Sequence, residues 1–150
     1  MEGHYYYVCV ILDIFSRMAI AHKCSRKNSV QLITATFKTA VEQCKPKAGL
    51  IFHSDRGAQY TSHRFRQLLR DHAAKQSFSN SGKPHDNAVA EEELYRRDYP
   101  SEAAFKKGVD SYIEFYKRVI LQIPAIVRET LVFESLLFAR LLSNFEPFKF

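Results

Sequence analysis

The stretch Leu50–Gly57 reads Leu-Ile-Phe-His-Ser-Asp-Arg-Gly and joins a short apolar run to a carboxylate and a glycine. Its first three residues have the pattern of a short buried strand. Asp55 follows this run, so we predict that its carboxylate lies at the carboxyl end of a strand. We expect Gly57 to let the backbone turn sharply beside Asp55 and a phosphate chain to come close.

A second carboxylate, Glu91, follows Asp55 after 35 intervening residues. The preceding Asp86 and Asn87 predict the start of a helix, which would place Glu91 in its first turn, near the positive end of the helix dipole. Two carboxylates from different elements that converge on one point are what magnesium-dependent phosphoryl transfer requires. The pair therefore favours nucleic-acid chemistry.

The composition is that of one globular domain with a basic surface. The chain has 150 residues, of which 46% are apolar and 25% charged, and this is enough to bury a core. The 22 Lys and Arg residues exceed the 16 Asp and Glu residues and give a net charge of +6. This excess favours a polyanionic partner such as DNA or RNA.

Cysteine spacing and apolar runs argue against several other classes of protein. Cys9, Cys24 and Cys44 form no CxxC pair, so neither a disulfide framework nor a zinc site is indicated. No secretory signal is visible, and we expect a cytoplasmic location. The apolar stretch near the C-terminus is broken by Glu134 and Arg140 and falls short of the ~20 residues of a membrane span, so we expect no membrane anchor.

Hydrophobic periodicity predicts the order strand, strand, helix, strand, helix, irregular loop, helix, helix. Two antiparallel strands are predicted at Tyr5–Leu12 and Met18–Cys24. Ser29 is predicted to cap the first helix, and Thr61-Ser62 the second. The turn-like composition of Ser77–His85 favours a mobile surface loop. This alternation predicts a three-layer α/β fold with a mixed sheet.

Four motifs in this order resemble the DDE transposases of bacterial insertion sequences, whose catalytic domain is similar to the retroviral integrase core. The resemblance covers about Glu2 to Tyr116. The motifs are Asp13-Ile14-Phe15-Ser16-Arg17, His53-Ser54-Asp55-Arg56-Gly57 with Gln59-Tyr60, the Ser77–Glu91 loop with Asp86-Asn87, and Tyr112-Ile113-Glu114-Phe115-Tyr116. The resemblance implies a ribonuclease H-like fold and DNA transposition by metal-dependent strand cleavage and transfer.

The resemblance also implies roles for individual residues. Asp55 and Glu91 take the catalytic and metal-binding positions, with two Mg²⁺ or Mn²⁺ ions roughly 4 Å apart. The implied partners are transposon-end and target DNA, together with further copies of the chain or an intact transposase. From their positions and charges, five side chains are the candidate DNA contacts: Arg56, Gln59, Tyr60, Arg64 and Lys83.

The sequence departs from the family pattern at the first acid. Transposases of this kind carry three acids, and the first lies on a strand that precedes the one predicted to begin at Tyr5. We therefore expect that acid and its strand to be absent, which would leave unpaired backbone groups beside the Asp55 strand in the middle of the sheet. Asp13 matches a turn motif instead, and we interpret it as structural.

Two further departures follow Glu91. Roughly two turns of helix, on the order of 11 Å, are missing before Leu94, and residues 117–150 lack the family's C-terminal motifs, as a reading-frame shift would produce. We therefore divide the chain into an incomplete core at 1–116 and an atypical tail at 117–150. Within that tail, Leu131–Leu142 is interpreted as collapsed or adventitious apolar sequence, with a partner-binding helix as the alternative.

Three hypotheses remain open at this stage. The chain is an active transposase core, a non-catalytic remnant that binds DNA or an intact transposase, or an unrelated basic module. In the last case Asp55 only ends a strand in a turn, and Glu91 is one of three solvated glutamates. His53 is interpreted as a packing residue, because magnesium prefers oxygen ligands. The departures favour the second hypothesis, an inactive or incomplete copy.

Overall fold

The computed structural model describes residues 4–13, 18–78, 99–120 and 132–142. The predictions for Glu91, for Lys83 and for the helix that Asp86 and Asn87 would begin lie outside these residues. The described elements are β1 (His4–Asp13), β2 (Ala19–Ser25), α1 (Val30–Cys44), β3 (Ile51–Ser54), α2 (Ala58–Thr61), α3 (His63–Asp71), β4 (Lys75–Phe78), α4 (Glu102–Ile120) and β5 (Val132–Leu142).

The five strands form one mixed sheet in the order β2-β1-β5-β3-β4. β1 is antiparallel to both β2 and β5, whereas β3 is parallel to both β5 and β4. The predicted antiparallel pair at the start of the chain and the strand that leads to Asp55 are both present. Asp13 is the last residue of β1, and its N–H donates to the carbonyl of Met18, which closes the connection to β2.

β5 overturns two expectations. The region Leu131–Leu142 was expected to be collapsed sequence or a helix, yet Val132–Leu142 is a strand at the centre of the sheet. The side of β3 that faces β1 was expected to lack a strand, but β5 pairs with β3 from Ile51 to His53 and with β1 along its whole length. These pairings join residues far apart in the sequence, and local periodicity does not report them.

Two serines begin the helices as predicted. The Ser29 side chain accepts the N–H of Leu32 at the start of α1, and the Ser62 side chain accepts that of Phe65 at the start of α3. α1 ends at Cys44, where Lys45 adopts a left-handed conformation with φ of 43° just before Pro46. These caps fix where both helices enter the layer above the sheet.

One face of the sheet is covered by α1 and α3 through an aromatic cluster. Phe52 on β3 lies 5.4 Å from Phe37 and 5.2 Å from Phe65, measured between ring centroids, and both pairs are edge-to-face. Tyr60 on α2 adds a fourth ring, 5.8 Å from Phe65. All four side chains are buried. Burial of aromatic rings of this size supplies much of the stabilisation of such a core.

The opposite face, on the β1–β2 side, is covered by α4. Phe105, Val109 and Ile113 are buried along one stripe of this helix and pack with Tyr6 and Val8 of β1. The predicted apolar stripe of this helix is therefore core. With helices on both faces of a mixed sheet, the described residues form the three-layer α/β fold that the sequence predicts.

A charged cluster attaches the start of α4 to β1 and the residue that follows β2. The Tyr6 hydroxyl donates to Glu102 at 2.7 Å, and Arg26 and Lys106 make ion pairs with the same carboxylate. Hydrogen bonds from Lys106, Tyr6 and Arg26 lower the pKa of Glu102 from its usual 4.5 to about 2. The Arg26 guanidinium also lies over the Tyr6 ring, 5.8 Å from its centroid.

Replacing Glu102 with glutamine is expected to make stability less sensitive to acid. Because the folded-state pKa of Glu102 lies below its unfolded value, its contribution is present above pH 4.5 and is lost as the pH falls toward 2. Thermal melting between pH 2 and 7 should show the wild type more stable than Glu102→Gln above pH 5, with the gap closing below pH 4.5. Glu42→Gln alters an exposed glutamate of α1, and its melting temperature should change with pH in the same way as that of the wild type. If the melting temperatures of the wild type and Glu102→Gln differed by the same amount at every pH, the lowered pKa of Glu102 would be contradicted.

Candidate metal centre and nucleic-acid interface

Asp55 follows the last residue of β3, where the sequence predicts a carboxylate at a strand's carboxyl end. Its side chain is exposed, and its Oδ1 accepts the backbone N–H of Gly57 at 2.7 Å. The hydroxyl of the buried Ser54 donates to the Asp55 carbonyl at 2.9 Å. The carboxylate is therefore presented to solvent in an orientation that the following turn fixes.

The role of Gly57 differs from the predicted one. Its φ of −55° and ψ of 147° are ordinary values, so the turn does not need a glycine for its backbone conformation. A Cβ at this position would instead lie 2.9 Å from Asp55 Oδ1 and 3.2 Å from Gln59 Oε1. A side chain at position 57 would therefore push the Asp55 carboxylate out of its observed orientation.

β4, which the sequence reasoning missed, supports the site from the outer side of β3. The prediction assigned Ser77 and Phe78 to a loop, but Lys75–Phe78 is a strand parallel to β3. Within this pair the His53 ring nitrogen Nδ1 and the Ser77 hydroxyl lie 3.1 Å apart in a hydrogen bond. This half-buried contact agrees with a packing role for His53. The strand has four residues and little apolar alternation, so no sequence signal marked it.

Tyr60 cannot serve as the nucleic-acid contact that its position suggested. Its side chain is only 1% exposed and packs against Phe52 and Phe65 in the aromatic cluster. Its backbone carbonyl accepts the side-chain N–H of Gln76 at 2.7 Å, which links α2 to β4. The correction follows from the helical geometry of α2, which turns residue 60 inward while Gln59 is half-buried.

Exposed arginines lie at the Asp55 turn and on the nearby helix in sequence, α3. Arg56 is exposed, and its guanidinium lies over the Phe78 ring at 5.9 Å from the centroid. On α3, the inward side chains Phe65 and Leu69 leave Arg64, as well as Arg66 and Arg70, exposed. Exposed guanidinium groups on Arg56, which follows Asp55 directly, and on α3 suit a phosphate backbone whose charge is neutralised by arginine.

Asp55 fits a magnesium ligand by chemistry and exposure, because Mg²⁺ prefers carboxylate oxygens that leave room for water and substrate. Within residues 6–13, 18–78 and 99–115, no three acidic, histidine or cysteine side chains are grouped so that they could hold a metal ion. Asp13, the other acid considered, is buried at the end of β1. The described residues thus provide one ligand of the predicted pair.

Solved structures with a similar fold are integrase catalytic domains. The chain aligns with the structure of a simian T-cell lymphotropic virus intasome in complex with a PP2A regulatory subunit at a TM-score of 0.54 and 16% identity, covering 69% of this chain and 41% of that one. It aligns with the catalytic core domain of BIV integrase at a TM-score of 0.51 and 15% identity, covering 80% of this chain and 78% of that one. The fold is therefore the ribonuclease H-like fold that the sequence predicts.

The sequence comparison assigns the family. The integrase core domain profile matches residues 1–84, which is more than half of the chain. The chain belongs to the integrase core domain family, and this confirms the resemblance to insertion-sequence transposases.

Among curated relatives, the chain is 33% identical over 115 residues to the transposase of insertion sequence element IS904 from Lactococcus lactis, covering 75% of this chain and 46% of the relative. It is 27% identical over 136 residues to the putative transposase InsK of element IS150 from Escherichia coli, covering 84% of this chain and 48% of the relative. The chain spans about half the length of these relatives. No helix in the described residues is long and apolar enough to cross a membrane.

Proposed function

We propose that this chain is a transposase catalytic-core protein that acts on DNA by metal-dependent strand cleavage and transfer. The observation that carries the proposal is the exposed Asp55 carboxylate, held by Gly57 at the carboxyl end of β3 in a ribonuclease H-like sheet. Insertion-sequence transposases among the relatives support the same reaction class. Location in the cytoplasm, where the DNA is, follows from this proposal.

Asp55 and Glu91 are the proposed ligands of Mg²⁺ or Mn²⁺, which when bound would activate the attacking oxygen and stabilise the leaving oxygen at phosphorus. The chain's own contribution is positional. The Gly57 N–H donates to one Asp55 carboxylate oxygen, and the Ser54 hydroxyl donates to the Asp55 backbone carbonyl. Both hydrogen bonds restrict the orientation of that carboxylate. Such support keeps a ligand in place before the substrate arrives and lowers the cost of assembling the site.

Arg56 and Arg64 are the proposed phosphate contacts. Gln59 and Lys83 remain candidate DNA contacts, and Lys83 lies outside the described residues. Exposed guanidinium groups bind phosphate by charge-assisted hydrogen bonds and carry no sequence information by themselves. Affinity for DNA should therefore fall as salt rises. Replacing Arg64 with glutamine should reduce the slope of log affinity against log salt by about one, since one phosphate contact is lost.

Asp55→Asn tests the proposal. It keeps the size of the side chain but removes the charge that a divalent cation needs, so Mg²⁺- or Mn²⁺-dependent nicking and strand transfer on supercoiled DNA should fall to background. Asp71→Asn, at the exposed end of α3, is the matched control and should leave activity unchanged. Gly57→Ala should lower activity with little loss of stability, because the new Cβ pushes on the Asp55 carboxylate. Equal nicking by the wild type and Asp55→Asn would refute a catalytic role.

A second candidate is a DNA-binding protein without cleavage activity, which associates with an intact transposase or further copies of itself. The observation that favours it is the set of exposed arginines at positions 56, 64, 66 and 70, which can bind a phosphate backbone whether or not a metal site forms. It predicts salt-sensitive DNA binding by the wild type that Asp55→Asn does not reduce, with no nicking in either metal. Measuring binding and nicking on the same preparations separates the two candidates.

A further inference from the structure

A second group of basic side chains lies at the edge of the sheet opposite Asp55. It consists of Lys45, Lys47 and Lys75, which are all exposed. Lys45 and Lys47 lie in the segment between α1 and β3, and Lys75 is the first residue of β4. Because β3 and β4 are parallel and Asp55 follows the last residue of β3, these lysines lie at the amino-terminal edge of both strands. We call this group the lysine edge.

Backbone hydrogen bonds hold the two turns of the lysine edge together. The Gly49 N–H donates to the Ala73 carbonyl at 3.1 Å, and the Lys75 N–H donates to the Leu50 carbonyl at 2.7 Å. Each turn also contains a non-glycine residue in the left-handed region, Lys45 with φ of 43° and Ala73 with φ of 50°. The two turns that carry the lysines therefore have a fixed relative position.

The stability of the fold does not account for all of this charge. Lys45 is the cap residue at the C-terminus of α1, where a cation stabilises the negative end of the helix dipole. Lys75 lies on β4, an outer strand of the sheet, where a lysine discourages pairing with other chains. Lys47 has neither role. Within the described part of the chain none of the three lysines makes an ion pair, so their charge is available to an anionic partner.

α3 links the two edges of the sheet. It follows the Asp55 turn and leads to β4, so it runs from the Asp55 edge to the lysine edge. Arg64, Arg66 and Arg70 are exposed along it. Leu50 and Asp55 flank β3, and a strand rises about 3.3 Å per residue, so the two edges are roughly 16 Å apart. This distance corresponds to about five base-pair steps of a DNA duplex.

We propose that the lysine edge is a second binding site for the phosphate backbone of duplex DNA, and that one duplex contacts both this edge and the Asp55 edge. The duplex follows the exposed arginines of α3 and reaches the lysine edge about five base pairs from Asp55. The identity of the polyanion rests on the proposed function, whereas the charge, exposure and spacing of the lysines do not. Contacts to phosphate carry no sequence information, so the site increases affinity for DNA of any sequence.

The double variant Lys47→Gln/Lys75→Gln tests the site through its salt dependence. Affinity for a labelled duplex that is long enough to cover both edges is measured by fluorescence anisotropy from about 50 to 200 mM KCl. The slope of log affinity against log salt should become less steep by about two, since two phosphate contacts are lost. Lys23→Gln/Lys107→Gln is the matched control, because it removes the same charge from exposed positions on β2 and α4. An equal change of slope in both variants, or no change in Lys47→Gln/Lys75→Gln, would overturn the proposal.

Photocrosslinking from Cys44 gives an independent readout of where the DNA lies. Cys44 is exposed and directly precedes Lys45, whereas Cys9 is buried. Cys24 is half-buried, and burial raises the pKa of its thiol to about 11, so alkylation at neutral pH favours Cys44. Azidophenacyl bromide attached to Cys44 should crosslink duplex DNA on illumination, and the same probe in Cys44→Ser/Lys107→Cys should give far fewer crosslinks. Equal yields from the two positions, or none from Cys44, would contradict the proposed path.

The outcomes separate the lysine edge from the cleavage reaction. If Asp55→Asn abolishes nicking while the two lysine variants have equal salt slopes, the proposed function stands and the lysine edge is excluded. If Lys47→Gln/Lys75→Gln alone has the less steep slope and no protein nicks DNA, the lysine edge stands and cleavage by this chain is excluded. Both double variants should unfold at the wild-type temperature, because all four lysines are exposed.

Discussion

Replacing Phe52 with alanine is expected to lower the free energy of unfolding by about 3–5 kcal/mol, because a fully buried ring is lost and a cavity remains. Phe52 packs edge-to-face with Phe37 and Phe65, so the loss also removes two aromatic contacts. A loss of this size is a large share of the ~5–15 kcal/mol that stabilises a typical domain. The shift of the urea unfolding midpoint between the wild type and Phe52→Ala measures this loss of free energy.

Phe115→Ala is the matched control for this experiment. Phe115 lies on α4 with 63% of its surface exposed, so the same chemical change should shift the midpoint very little. Phe52 is also three residues before Asp55 on β3, and its loss should therefore loosen the Asp55 turn. A destabilisation below about 1 kcal/mol would mean that the ring does not occupy the packed position described above.

Replacing Phe105 with alanine is expected to cost a similar ~3–5 kcal/mol but to act on the opposite face of the sheet. Phe105 is 1% exposed and lies 5.9 Å from Tyr6 and 5.2 Å from Tyr99, measured between ring centroids. Its loss should release α4 from β1 and β2. Hydrogen exchange should therefore speed up in α4 before it does in β3.

The two substitutions together test whether the core has two separate faces. Phe52 belongs to the cluster under α1 and α3, and Phe105 to the cluster under α4, so their effects on local hydrogen exchange should differ even when their midpoints agree. Phe115→Ala again serves as the control, since it lies on the same helix as Phe105. Identical exchange patterns in the two variants would indicate one undivided core.

Local signals were sufficient for much of this fold. Ser29 and Ser62 are helix caps because their side chains accept backbone N–H groups three residues on, and the sequence shows such caps directly. The apolar run before Asp55 likewise predicted β3 and the place of the carboxylate. These features depend on residues a few positions apart, and short-range patterns report such features well.

The missed features depend on distant parts of the chain. β5 pairs with β1, whose residues lie about 130 positions earlier in the chain. Glu134 and Arg140 also interrupt the apolar run of β5, so its sequence alone was interpreted as adventitious tail. Tyr60 appeared in a polar motif, and only the direction of α2 shows that it points into the core. For the site, the sequence located the exposed Asp55. Only the structure shows that a side chain at position 57 would press on the Asp55 carboxylate.

The sheet order has a consequence for biosynthesis. β1 is made first and β5 last among the described strands, yet they are neighbours, with His4 opposite Leu142. Chain synthesis proceeds at ~5–20 residues per second, so on the order of ten seconds pass between the two strands. During that interval the facing edges of β1 and β3 have no strand between them, and pairing with other nascent chains competes with correct closure. The yield of native protein should therefore depend on how quickly β5 reaches its place.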